Sequence, residues 1–291
     1  MIAALLGCQD TTPTDNSKST QSTLAQARDK GTIRVGYANE APYAYYDPEQ
    51  DRLTGEAPEI ARHVFEEMGI EKIEGVLTEF GALIPGLKAK RFDVIAAGMY
   101  ITPERCKEVA FSNPTYGIGE GFIVKKNNPK NLHSYETVAN HDTAKLGVVA
   151  GTIEISYAKA LGIPEARLMI FPDALGALAG VQTDRIDAFA ATSLTIQTLL
   201  NKANDESIER AEPFQDPVIN EKQIIGYGAF ALRKEDQELI QALNKGLAEF
   251  LGTQTHQEMV QPFGFTKNEL PGNVTAEELC TLRTVSDRNG E

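Results

Sequence analysis

The chain has 291 residues, 42% hydrophobic and 24% charged, an ordinary globular composition with material for one large domain or two modest ones. Its 28 Lys and Arg against 41 Asp and Glu leave a formal charge of −13, which argues against nucleic acid as a partner, because a phosphate backbone is held by clustered cations. Three cysteines (Cys8, Cys106 and Cys280), with no CxxC and no histidine at ligand spacing, argue against zinc or an iron–sulfur cluster, and no metal or cofactor is expected.

In chain order, residues 1–7 (MIAALLG) form an apolar run too short to span a bilayer, without a basic leader, ending at Cys8. Residues 10–26 (DTTPTDNSKSTQSTLAQ) lack an apolar period and read as a flexible tether, with ordered structure starting near Gly31. The alternation of 32–38 (TIRVGYA) predicts a first strand, 39–43 break it, and 47–55 (DPEQDRLTG) has turn chemistry. Over 56–69, Ile60, Val64, Phe65 and Met68 share one helical face before a Gly stop, and an apolar strand follows at 73–77. The rhythm continues with a helix at 83–90, a strand at 93–98, a helix opening at Thr102-Pro103-Glu104 and a strand at 121–125, which together predict a largely parallel α/β layer complete by about residue 125.

A second round has strands at 145–149, 167–171 and 187–191 and helices at 152–161, 173–182 and 194–203, predicting a second lobe. A strand at 224–233 and an amphipathic helix at 237–251, with Leu239, Leu243, Leu247 and Phe250 on one side, could finish either lobe. No segment approaches transmembrane length.

Several ordered segments then carry a resemblance: IRVGYANEAPYAY, LTGEAPEIA, LIPGLKAKRFDVIAAGMYITPER, VAFSNPTY, LGVVAGTIE, DRIDAFAAT and YGAFALRKEDQELIQALN. Each is weak alone, but their order and spacing over 31–265 resemble the polar-amino-acid class, family 3, of the solute-binding proteins of ABC importers. The resemblance implies an α/β, two-lobed periplasmic-binding-protein fold of type II, with two crossing strands and the solute held in the cleft. Lobe 1 would comprise 31–116 and 227–291 and lobe 2 would comprise 117–226, with crossings near 116–121 and 224–227. It implies a binding protein and not an enzyme, working with the membrane subunits of the importer in the periplasm or at the outer face of the cytoplasmic membrane. Leu5-Leu6-Gly7-Cys8 resembles a bacterial lipobox, so 1–8 reads as a truncated lipoprotein signal, Cys8 as a lipidation site and 9–30 as the tether. In an oxidising envelope Cys106 and Cys280 could pair; two separately buried thiols fit the sequence equally well.

The site residues follow from what a zwitterion needs. The planar fork of Arg105 can hold a carboxylate through two parallel hydrogen bonds, and the resemblance gives it that role, against the commoner fate of an exposed helix arginine. Thr102 stands in the same TPER segment, and Gly151-Thr152, ahead of the second lobe's first helix, is expected to close on the same carboxylate from the other lobe. Members that bind α-amino acids usually carry an Asp after the DAFAA-type strand; here Ala191 runs into Thr192-Ser193 with no carboxylate. Glu40 is therefore the candidate for the cationic end, with Tyr43, Phe80 and Tyr100 as an aromatic lining contributing roughly 0.5–2 kcal/mol each, although isolated aromatics more often pack under loops. The segments NEAPYAYYD, AAGMYITPERC and DAFAATSLT most resemble the ectoine- and hydroxyectoine-binding branch, which implies a small compatible solute, Glu40 facing its ring N–H groups. Two alternatives stand beside it: a polar amino acid ligand, or an enzyme like cyclohexadienyl dehydratase on the same fold. His63, His133, His141 and His256 form no paired catalytic motif.

Overall fold

In the computed structural model, which describes residues 21–281, the chain is already helical eight residues before Gly31. Helix α1 (Thr23–Lys30) is capped by the Ser22 side chain, closes on Gly31 in the left-handed region, and buries Leu24 and Ala27. The Thr23 hydroxyl ties it to Asp236 at 2.6 Å. This corrects the tether expected over 9–30: two docked apolar residues are too few to show a period, yet enough to fix one short helix. Cys8 and the lipobox-like residues lie outside the described residues, as does the tether up to residue 20.

Lobe 1 opens with β1 (Thr32–Tyr37), a small hairpin of β2 (Tyr45–Asp47) and β3 (Arg52–Thr54), and α2 (Glu56–Glu67). It continues through β4 (Lys72–Leu77), α3 (Leu83–Lys88), β5 (Val94–Tyr100), α4 (Pro103–Glu108), β6 (Ala110–Phe111) and β7 (Tyr116–Ile118). The chain then builds a second sheet from β8 (Glu120–Lys125), α5 (Tyr135–Asn140), β9 (Leu146–Val149), α6 (Glu154–Ala160), β10 (Leu168–Phe171), α7 (Ala174–Gln182), β11 (Ala188–Thr192), α8 (Ser193–Ala203) and β12 (Ile208–Arg210). A hairpin of β13 (Val218–Ile219) and β14 (Lys222–Gln223) leads to β15 (Gly226–Leu232), α9 (Gln237–Phe250), α10 (Gln254–Val260) and α11 (Ala276–Thr281).

The first sheet has the order β4-β1-β5-β15-β6, and the second β10-β9-β11-β8-β12. In each, three strands linked through helices run parallel, and one strand, β15 in the first sheet and β8 in the second, is antiparallel to both of its neighbours. The layer is thus less parallel than expected, and 121–125 belongs to the second sheet instead of completing the first. Strands β8 and β15, by which the chain enters one lobe and re-enters the other, are the ones that run against their neighbours; parallel pairing needs a crossover element, which neither has. At the junction β7 and β15 lie side by side, antiparallel, with Tyr116 opposite Gly228 and Ile118 opposite Gly226.

Periodic faces of α2 (Ile60, Val64, Phe65) and α9 (Leu239, Leu243, Leu247, Phe250) meet Ile33 and Val35 of β1 in one core, so α9 finishes lobe 1. A disulfide joins Cys106 of α4 to Cys280 of α11, with Cα atoms 5.7 Å apart across 174 residues of sequence. No helix among the described residues is long and apolar enough to cross a membrane.

Candidate interlobe binding site

The loops that follow β1, β5, β9 and β11 converge between the two sheets, where the ends of parallel strands commonly carry ligand sites. After β5, the Thr102 hydroxyl accepts from the Arg105 backbone N–H at 3.2 Å and caps α4, and Pro103 occupies its first turn. Thr102 is therefore engaged in starting the helix that presents Arg105. From there the guanidinium turns back: Nη1 donates to the Tyr100 carbonyl at 2.7 Å and Nη2 to the Gly151 carbonyl of the other lobe at 2.9 Å. Its plane lies over Phe80, with 5.5 Å from the central carbon to the ring centroid. Two of its five N–H donors are thus used within the protein. Burial lowers the Arg105 pKa, and the nearby Glu154 opposes that shift.

The contact beside Arg105 is made of backbone. Gly151, at φ +80°, sits so close to Gly81 that an added Cβ would lie 2.5 Å from the Gly81 Cα. Lobe 2 touches lobe 1 here with no side chain between them. Thr152 donates its hydroxyl to the Val149 carbonyl at 2.9 Å. Helix α6 starts at Glu154, so Thr152 is not its cap, and α5, not α6, is the second lobe's first helix.

Around Glu40, the Tyr43 hydroxyl donates to Thr192 Oγ1 at 2.8 Å, across the lobes. Thr192 caps α8 by accepting the Thr195 N–H at 3.2 Å, and its hydroxyl donates to Thr195 Oγ1 at 3.1 Å. Thr195 in turn donates to Glu40 Oε1 at 2.8 Å. Burial pushes the Glu40 carboxyl up to about 7; the Thr195 hydrogen bond works against that rise, and the negative charge of Glu154 adds to it.

The three aromatics expected to line the cleft have distinct surroundings. Phe80 already carries the Arg105 guanidinium on its face. Tyr43 stacks on Tyr116 at 5.1 Å, meets Phe265 edge-on at 5.7 Å, and lies against Gly98. Tyr100 is 4% exposed, its ring rests on Gly226 of β15, and its buried hydroxyl has no hydrogen-bond partner among the described residues.

Several residues here escaped sequence reading. Thr195 and Tyr116 contact the expected residues directly. Glu120 and Glu154 are buried carboxyls from β8 and the first turn of α6. The Glu120 backbone donates to Asp216 Oδ1 at 2.6 Å, and Tyr135 donates to Glu120 Oε2 at 3.2 Å. Burial first, and its like-charged neighbour Glu154 second, drive Glu120 well above the ordinary carboxylate range; Glu154 rises through burial, with Thr152 opposing. The signal available in advance was a glutamate heading the apolar run GFIV of β8. The histidines are occupied elsewhere: His63 packs on Phe250 with centroids 4.0 Å apart, and buried His256 accepts from the Gly252 N–H at 3.3 Å. No group of three or more metal-ligating residues occurs among the described residues. A groove of about 770 Å³ runs along the hinge, lined in part by Gly117, Glu120, Asp216 and Tyr227; it shares Glu120 with this site but neither Arg105 nor Glu40.

The model of the bacterial extracellular solute-binding proteins, family 3, matches residues 33–266. A probable amino-acid ABC transporter periplasmic-binding protein of Sinorhizobium fredii is 39% identical over 263 residues, covering 89% of this chain and 86% of its own. A probable histidine-binding protein of Campylobacter jejuni is 30% identical over 247 residues, covering 84% and 87%. Among solved structures, EhuB in complex with hydroxyectoine superposes with a TM-score of 0.81 at 33% identity, covering 90% of this chain and 98% of that one. An ancestral amino acid-binding protein, described as a precursor of cyclohexadienyl dehydratase, gives 0.70 at 28% identity, covering 83% and 99%.

Proposed function

This chain belongs to the bacterial extracellular solute-binding proteins of family 3, and from that premise we propose that it captures ectoine or hydroxyectoine between its lobes for an ABC importer, without chemical change. The observation that carries the reading is a pair of opposite charges, each bonded across the interface: Arg105 to the Gly151 carbonyl and Glu40 to Thr195. A zwitterion presents the complementary pair. Its carboxylate takes the unused donors of Arg105, and its cyclic amidinium gives N–H groups to Glu40. In a site shielded from water each such charged contact is stronger than at the surface. The likeness to the hydroxyectoine complex supports the choice of solute. In this reading Cys8 carries the lipid that keeps the protein at the outer face of the cytoplasmic membrane, and Cys8→Ser would release it into the soluble fraction.

A polar amino acid is the second reading, favoured by Glu120 and Glu154, which supply buried carboxyls the strand after Ala191 does not, and by the amino-acid-binding relatives. Titration calorimetry with ectoine, hydroxyectoine, glycine betaine, glutamine, histidine and arginine separates the two. Heat with an amino acid and none with ectoine would sink the ectoine assignment. Recovery of the bound solute with unchanged mass after long incubation is expected; a changed mass would favour an enzyme.

A further inference from the structure

The hydroxyls of Tyr43, Thr192 and Thr195 form a chain that leaves lobe 1, turns through the first turn of α8 and returns to Glu40 on lobe 1. The chain runs from Tyr43 toward Glu40. Thr192 Oγ1 accepts both the Tyr43 hydroxyl and the Thr195 backbone N–H, so its lone pairs are filled and its single proton goes to Thr195. Thr195 then has one proton left, and it goes to Glu40 Oε1. Thr195 thus presents its proton to Glu40 Oε1, a bond that is stronger to an ionised carboxylate than to a neutral carboxyl, and Oε2 makes no hydrogen bond among the described residues.

We propose that Thr195 is a specificity-determining residue that holds Glu40 as an anion across the closed interface and leaves Oε2 for the solute, so that closure selects cations bearing N–H groups over quaternary ammonium groups. The proposal rests on the zwitterion reading above. It is consistent with the opposing influences on Glu40: burial and Glu154 of α6 disfavour its charge, and Thr195 of α8 favours it.

The test measures dissociation constants of wild type, Thr195→Val and Thr195→Ser for ectoine, whose amidinium bears N–H groups, and for glycine betaine, whose cation bears none, from pH 5.5 to 8.5. In parallel, the Glu40 side-chain carboxyl carbon is titrated by NMR without solute. We expect wild type at pH 8 to prefer ectoine by at least 30-fold. Thr195→Val should lose at least tenfold for ectoine with little change for glycine betaine, and its Glu40 midpoint should move up by about one pH unit. Thr195→Ser should restore both. A folded Thr195→Val protein with an unchanged solute ratio and an unchanged Glu40 midpoint would overturn the role of Thr195 alone. A wild type that binds neither solute, nor any other zwitterion of the panel, would overturn the zwitterion reading and this proposal with it.

Discussion

Replacing Gly151 by alanine tests whether backbone contact between the lobes is what permits closure. Two effects separate cleanly. At φ +80° an L-residue costs roughly 1–2 kcal/mol whether the lobes are open or closed, so this part lowers the melting temperature without touching affinity. The second effect acts only on the closed form. The new Cβ would stand 2.5 Å from the Gly81 Cα, about 1 Å inside ordinary van der Waals contact, and the chain there must move away by about that amount. The first bond to stretch is the 2.9 Å contact from Arg105 to the Gly151 carbonyl, which belongs to the substituted residue itself. A hydrogen bond to a charged group is worth about 1.5–3 kcal/mol, so solute affinity should fall roughly 10- to 150-fold. Calorimetry gives the affinity, and small-angle X-ray scattering with and without solute reports whether the radius of gyration still contracts. Gly81→Ala is the internal control: its Cβ would meet the Ala150 carbonyl oxygen at 3.4 Å, and the loss should be much smaller. Wild-type affinity and normal contraction in Gly151→Ala would refute the reasoning.

Arg105→Ala should weaken capture by about 2–5 kcal/mol whichever zwitterion is bound, and Arg105→Lys should recover little, since an ammonium cannot span the Tyr100 and Gly151 carbonyls while offering a planar fork; unchanged affinity by calorimetry would remove Arg105 from the site. Glu56, buried at the start of α2, has its carboxyl raised from the ordinary 4.5 to about 8 by burial, so the folded state favours the protonated form: stability is fully present below pH 4.5 and is lost as pH rises toward 8. Glu56→Gln removes that dependence, and the variant should gain about 3–4 kcal/mol relative to wild type between pH 5 and pH 8 in urea unfolding; a difference that does not vary with pH would contradict it. Breaking the Cys106–Cys280 bond, which closes a 174-residue loop, should cost about 2–5 kcal/mol of stability, read as a lower melting temperature in reductant, and should also weaken binding because α4 carries Arg105.

The elements legible in the sequence are those whose packing leaves a local trace. Helices α2 and α9 bury one periodic face each, and β5 and β11 are apolar runs buried almost throughout. What could not be read depends on partners far away in the chain. Nothing local in EGFIVK says that it pairs with 188–192 and not with 94–100. Helix α5, six residues long and fixed by a Ser134 capping box, gave no periodic signal. The site divides the same way. Glu40, Arg105 and Thr192 sit in short segments at strand ends whose motifs could be matched one at a time. Thr195 is identified only by its bond to Glu40, 155 residues away, and Glu120 and Glu154 only by the burial the fold imposes.

The charges at the interface constrain what it can hold. One guanidinium, Arg105, faces three carboxyls, Glu40, Glu120 and Glu154, and a buried site with all four ionised would carry a net charge of −2 before any solute arrived. Burial resists this by raising all three carboxyls. The charge of Glu154 adds to the rise of Glu120, so the protonated carboxyls are the cheaper state there. Glu40 differs from both. Its hydroxyl chain favours the anion, and its pKa of about 7 lets a solute cation complete its ionisation at neutral pH. The site is then balanced by one carboxylate and one cation on the solute, with Glu120 and Glu154 both protonated behind them. A second solute cation would have to displace one of those protons, and its binding would go on tightening with rising pH after Glu40 has ionised. Affinity followed against pH for ectoine and arginine therefore distinguishes a monocationic from a dicationic occupant: a single inflection near pH 7 for the preferred solute fits the first, and a rise that continues above it fits the second.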